Sequence, residues 1–465
     1  MTSLSVEMLA ADAAEPITSA GNAQLGIAVL AGIAVIVLLI TKFKLHAFLA
    51  LTIGSLALGA FAGAPLADTI KAFSTGLGNT VAGVGVLIAL GAILGKLLAD
   101  SGGADQIVDT ILAKASRRSM PWAMVLIASV IGLPLFFEVG IVLLIPVVLM
   151  VAKRGNYSLM RIGIPALAGL SVMHGLIPPH PGPLVAIDAV GANLGVTLAL
   201  GLVVAIPTVI IAGPVFSRYA ARWVDIQAPE HMIPTRPSED LEKRPGFGVT
   251  VATVMLPVVL MLVKALVDIV VDDPENAVQK VTDVIGSPLI ALLAAVIVAL
   301  FTLGRAAGFT KERLSSTVEK SLAPIAGVLL IVGAGGGFKQ TLIDIGVGQM
   351  ILDFSRDWSI PALLLAWLIA VAIRLATGSA TVATISAAGL VAPLAAGMST
   401  GETALLVLAI GAGSLFFSHV NDAGFWLVKE YFGMSVGQTI KTWSVMETII
   451  SVVALVFVLL LSLVM

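Results

Sequence analysis

The chain has no cysteine, which excludes disulfides, iron–sulfur clusters and thiolate chemistry and says little about compartment. Charge is nearly as scarce. Only 12% of the 465 residues are charged, about half the ~25% of a soluble domain. A net charge of −2 implies neither a nucleic-acid nor an acidic partner. The first residues hold Glu7, Asp12 and Glu15 but no Lys or Arg before Asn22. They lack the basic start of a signal peptide, so 1–22 is read as a short tail on the outside.

What is abundant is apolar. Hydrophobic residues make up 58% of the chain and the mean hydropathy is +1.06. Runs near the ~20 residues needed to cross a bilayer recur from end to end. They cover 23–41, 45–62, 79–99, 121–152, 161–192, 196–216, 248–271, 286–304, 322–340, 361–397, 403–430 and 444–465. This predicts an all-α polytopic membrane protein, multi-pass in the cell membrane, with the lipid bilayer as its solvent. The 46 glycines suit helices that pack backbone to backbone.

Two runs, 121–152 and 361–397, are too long for one span and carry Gly or Pro near the middle. Both are expected to be re-entrant helical hairpins. The runs 161–192 and 403–430 are expected to be broken membrane helices, since irregular backbone at depth is tolerated where protein or a watery cavity covers it. Lys42, Lys44, Lys114, Arg117, Arg118, Lys153, Arg154, Arg161, Arg305, Lys311, Arg313 and Lys320 should face the cytoplasm, as should the Arg218–Arg244 loop. The acidic Asp272-Asp273-Pro274-Glu275 loop falls outside. With the N-terminus outside, all of this holds only if 121–152 returns to the cytoplasmic side, and the second hairpin then enters from outside.

The polar linker 217–247 divides the chain into halves, 23–216 and 248–465. One shift of 244 positions relates Leu45, Ala47, Leu49 and Ala50 to Leu289, Ala291, Leu293 and Ala294. It also relates Ala82-Gly83-Val84 to Ala326-Gly327-Val328, Gly91 to Gly335, Asp100 to Asp344 and Gly102 to Gly346. With the topology above, these are inverted repeats, a plan in which secondary transporters bind substrate near the midplane between broken helices.

The candidate site residues lie at the breaks. In the first hairpin Glu138 stands among apolar neighbours after Pro134. It is either a carboxylate bonded to exposed amides at the tip or a proton carrier. In Ser171-Val172-Met173-His174-Gly175-Leu176-Ile177-Pro178-Pro179-His180-Pro181-Gly182-Pro183, four prolines in six positions forbid a regular helix. His174 and His180 flank that break, as proton-handling groups or as buried structural histidines. They lack a third ligand at metal spacing, so no metal or cofactor is expected.

The second hairpin carries Arg374 followed by Thr377, Gly378, Ser379 and Thr381. Hydroxyls and free amides at helix ends suit a polyol or a carboxylate. The guanidinium is a forked match to carboxylate, or alternatively a partner for the first hairpin's helix end or for Glu138. The last candidates are Ser418, His419, Asn421 and Asp422, polar groups deep in an apolar run. The cluster Gly333-Ala334-Gly335-Gly336-Gly337 lacks the Lys-Ser/Thr of a phosphate loop and is expected to mediate close helix packing.

Four segments carry a resemblance to a known family: Gly132–Gly140, His174–Pro183, Ala376–Ala383 and Ser418–Trp426. In them the chain resembles the gluconate permease family of bacterial inner-membrane symporters, over nearly its whole length. The resemblance implies import of gluconate or a related sugar acid with protons, by a dimer that moves a substrate-carrying domain past a scaffold, elevator fashion. Some relatives carry other small hydroxy acids or D-serine. On this reading Arg374 and tip amides take the carboxylate, while Ser171, His174, Thr377, Gly378, Ser379, Thr381, Ser418 and Asn421 complete the substrate site. Glu138, His174, His180, His419 or Asp422 carries the proton. The rival readings are a sodium-coupled carboxylate transporter, an intramembrane metal-dependent hydrolase built on His174, His180 and Glu138, and a channel.

Overall fold

Long apolar runs leave each backbone amide only its own helix as a partner in a bilayer, and helices are what form. A computed structural model describes residues 16–227, 243–271, 275–347, 350, 361–419 and 422–465. Most of the N-terminal tail and the linker's centre, Asp272 to Pro274 and Asn421 lie outside the described residues, as does the side chain of Glu138. Among the described residues every regular element is a helix, with no strand. Eight helices among them are long and apolar enough to cross a membrane.

The first half runs α1 (Asn22–Thr41), α2 (Ala47–Phe61), α3 (Leu66–Asp100), α4 (Gly103–Lys114), α5 (Met120–Gly132), α6 (Phe137–Gly155), α7 (Leu159–Leu176), α8 (Pro181–Val190) and α9 (Leu194–Trp223). The second runs α10 (Phe247–Val270), α11 (Ala277–Ile285), α12 (Pro288–Ala307), α13 (Lys311–Asp344), α14 (Ala362–Thr377), α15 (Ala380–Val391), α16 (Thr400–Ser414), α17 (Ala423–Phe432) and α18 (Val436–Ser462). The run 121–152 is two helices joined across Leu133 to Phe136, and 361–397 is two joined across Gly378 and Ser379. The runs 161–192 and 403–430 are each broken, after Leu176 and after Ser414. Each interruption falls where Pro, Gly or a capping Ser or Asp removes or redirects a helical hydrogen bond.

Helix α3 begins 13 positions before its apolar run at 79, because its first turns are amphipathic rather than wholly apolar. Helices α4 and α11 also fall outside the apolar runs, and α11 shows why. Its exposed Val278, Val281, Val284 and Ile285 share one face, while Gln279 and Thr282 are buried on another. The linkage to α10 is ionic: Lys264 bonds Asp268 at 3.1 Å on its own helix and also bonds Asp283 of α11.

The broken helices form the interior. In the Leu159–Val190 segment 89% of the most apolar window is buried, against 28% for α1 at the periphery. Helix α5 packs along α7 and α14 along α16, so each two-helix unit leans on the broken helix that follows it. The two broken helices meet where Gly411 of α16 lies against the Gly175 carbonyl; a Cβ on Gly411 would overlap it. Helices α3 and α13 cross likewise, with Gly336 against Gly76, so the glycine cluster is a helix-packing surface. Outward, Ile27, Leu30, Val259, Leu266 and Val270 are exposed. Such an apolar exterior suits acyl chains rather than water.

Candidate functional site

The breaks converge on one cavity of about 270 Å³. The first half supplies Phe137 at the start of α6 and Ser171 and His174 on the last turns of α7. The second half supplies Arg374, Thr377, Gly378, Ser379 and Thr381, then Asp422 and the first residues of α17, then Trp443 and Glu447 of α18.

The local geometry follows from helix ends. Helix α14 stops at Gly378, whose φ of +74° is the left-handed conformation that glycine adopts without a Cβ clash. Ser379 then caps α15, its hydroxyl accepting from the Val382 amide at 3.3 Å. Asp422 caps α17, accepting from the Gly424 amide at 2.8 Å. The positive ends of α15 and α17 therefore face the same space, an arrangement that favours an anion.

Arg374 organises the floor. Only 3% of it is exposed. Its Nη1 donates to the Gly378 carbonyl at 2.7 Å and its Nη2 to Asp422 Oδ2 at 2.5 Å. Its Nε is buried and has no hydrogen-bond partner among the described residues. Asp422 is the carboxylate partner of Arg374 among those residues. Behind the pair, Ser418 donates to Asp422 Oδ2, Trp443 Nε1 donates to Ser418 Oγ at 2.7 Å, and Ser444 donates to the Ser418 carbonyl. Ser418 is thus one bond behind the cavity, a support for Asp422 rather than part of the lining.

The histidines divide. His174 lines the cavity, its ring 6.2 Å from that of Phe137 and 5.4 Å from that of His180. His180 is buried behind it, with Nε2 at 2.7 Å from the Gly132 carbonyl, where it ties the end of α5 to the start of α8. His419 is set apart, with Nε2 at 3.1 Å from the Leu375 carbonyl, and is not in the lining. Among the described residues no three His or carboxylate groups are placed to hold a metal ion.

Sequence reasoning missed Glu447, Phe137 and Trp443. Glu447 is 1% exposed and lines the cavity together with Ser171 of α7. Its signal was present, as the lone carboxylate in the run 444–465. No proline or glycine interrupts the helix there to draw attention to it.

The family described as GntP family permease matches residues 25–464. The chain belongs to that family. It is 51% identical to a gluconate permease of Pseudomonas aeruginosa, over 92% of this chain and 96% of the relative. It is 44% identical to a high-affinity gluconate transporter of Escherichia coli and 40% identical to the Gnt-II system L-idonate transporter of that species. Each of these two alignments covers 93% of this chain and 98% of the relative. Among solved structures the fold is similar to that of Neisseria gonorrhoeae MtrF, with a TM-score of 0.64, 16% identity and 84% of both chains covered. It is also similar to the Alcanivorax borkumensis YdaH transporter, with a TM-score of 0.57, 16% identity, and 85% and 90% covered. This member of the permease family is therefore a multi-pass transporter of the cell membrane and not an enzyme.

Proposed function

We propose that this permease imports gluconate or a closely related sugar acid together with protons. The observation that carries the substrate class is the Nε edge of Arg374, which has no hydrogen-bond partner among the described residues, in a cavity faced by two helix N-termini. A carboxylate there gains a permanent positive charge and amide donors. Ser171, His174 and Thr381 stand around the same space and offer hydroxyl and imidazole partners for a polyol chain. Thr377 and Ser379 use their hydroxyls on backbone groups, so they shape the tip and position its amides. A volume of about 270 Å³ lies near the lower end of small-molecule sites, ~300 Å³, which suits a single sugar acid better than an oligosaccharide. The gluconate and L-idonate transporters among the relatives support the same class.

In this reading the α5–α6 and α14–α15 units are re-entrant hairpins from opposite membrane sides, the halves are inverted repeats, and the linker is cytoplasmic. Symport requires that proton and substrate each raise the other's affinity, and an anion entering beside a carboxylate supplies that coupling electrostatically. The protein works as a homodimer whose substrate-carrying part moves past a scaffold.

The test is competition for labelled gluconate uptake into proteoliposomes. Gluconate and L-idonate should compete, and the matching sugar alcohol, which lacks the carboxylate, should not. Equal competition by the alcohol would overturn the role of Arg374.

A further inference from the structure

Among the described residues, two carboxylates of the second half reach the cavity, and their surroundings differ in kind. Asp422 has its needs met: Oδ2 accepts from Arg374 and Ser418, and Oδ1 accepts from the Gly424 amide. Glu447 makes no ion pair among the described residues, shares the cavity wall with the neutral hydroxyl of Ser171, and has an Oε1 that is buried with no hydrogen-bond partner among those residues. An ionised carboxylate sealed from water demands counter-charge and donors for its lone pairs, whereas a neutral carboxyl group can leave an oxygen idle at far smaller cost.

The charges around Glu447 sharpen the contrast. Arg374 from α14 and Asp422 at the start of α17 both act on it, and His174 of α7 shares its cavity wall. Helices α9 and α16 also pack against α18 and bring no ionisable side chain to the lining. Because Asp422 already matches Arg374, a substrate carboxylate entering beside an ionised Glu447 would leave two negative charges in excess. With Glu447 neutral, one remains.

We propose that Glu447 is the group that binds the co-transported proton: it is protonated as substrate enters and returns the proton to the opposite side as substrate leaves. Glu447, Ser171 and the substrate's carboxylate then form one coupled unit, while Asp422 stays charged and keeps Arg374 in place. This rests on the proton-symport reading above.

The test uses full-length protein in liposomes loaded with a pH-sensitive dye, with labelled gluconate followed in parallel. In the wild type, gluconate added outside should acidify the lumen. In Glu447→Gln, gluconate–gluconate exchange should persist and lose its dependence on pH, and substrate-driven acidification should fall to the level of empty liposomes. Acidification retained in Glu447→Gln overturns the assignment and leaves symport standing. Wild-type exchange with no acidification overturns symport itself. If Glu447→Gln does not fold or exchange, Glu447→Asp and Ser171→Ala decide. Both should move the pH midpoint of exchange, and a wild-type midpoint in both overturns the proposal.

Discussion

Arg374 and Asp422, 48 positions apart, meet at 2.5 Å with 3% and 14% of their side chains exposed. The pair joins the tip between α14 and α15 to the start of α17, so it is at once a structural tie and the floor of the cavity. Removing one member of a buried pair costs about 3–5 kcal/mol, because the other is left uncompensated. Asp422→Ala should therefore lower thermal stability in detergent by more than any single change in the lining that leaves the pair intact. Arg374→Ala combined with Asp422→Ala should cost less than the sum of the two, and additive losses would show that the pair carries no coupling.

Arg374→Lys keeps the charge and loses both the fork and Nε. The expected result is a rise in KM for gluconate of roughly tenfold or more, the equivalent of about 1.4 kcal/mol. The fold should be kept, as judged by gel filtration. Unchanged KM would place the carboxylate elsewhere.

Gly378 and Ser379 set the tip. Gly378→Ala places a Cβ at φ +74°, which costs about 1–2 kcal/mol. Ser379→Ala removes the cap of α15 for about 1 kcal/mol. Both should lower the melting temperature and weaken substrate-induced stabilisation, because the α15 amides that face the cavity shift with the cap. A loss of stability with full substrate protection would separate the tip from binding.

Trp443 holds Ser418, and Ser418 holds Asp422. Ser418→Ala leaves the buried indole N–H and one carboxylate acceptor without that partner, a cost of about 1–3 kcal/mol. Thermal unfolding should register it, and Trp443→Phe should register less because Ser418 keeps its bond to Asp422 and only its hydroxyl lone pair loses a donor. Equal effects would mean that Ser418 is held by other contacts.

Much of this was legible in the sequence because the cost of breaking a membrane helix is local. Proline at 178, 179 and 181, glycine at 378 and the cap at Ser379 announce themselves in a few residues, and the structure interrupts its helices there. The site residues grouped on Arg374 through Thr381, together with His174 and Asp422, do share one cavity. Pairings between distant segments were not legible. Nothing near Arg374 names Asp422 as its partner, and nothing near Glu447 names Ser171 as its neighbour in the cavity wall. His180 and His419 look alike in sequence to His174, yet one braces α5 against α8 and the other meets the Leu375 carbonyl in the last turn of α14. Their places depend on how the broken helices cross at Gly175 and Gly411, which is a property of the packing.

The most direct measurement is accumulation of labelled gluconate by the purified protein in liposomes under an inward proton gradient. The expected result is accumulation above the outside concentration, collapse on addition of a protonophore, and no change when sodium is replaced by potassium. Simple equilibration whatever the gradient, or accumulation that requires sodium, would contradict it.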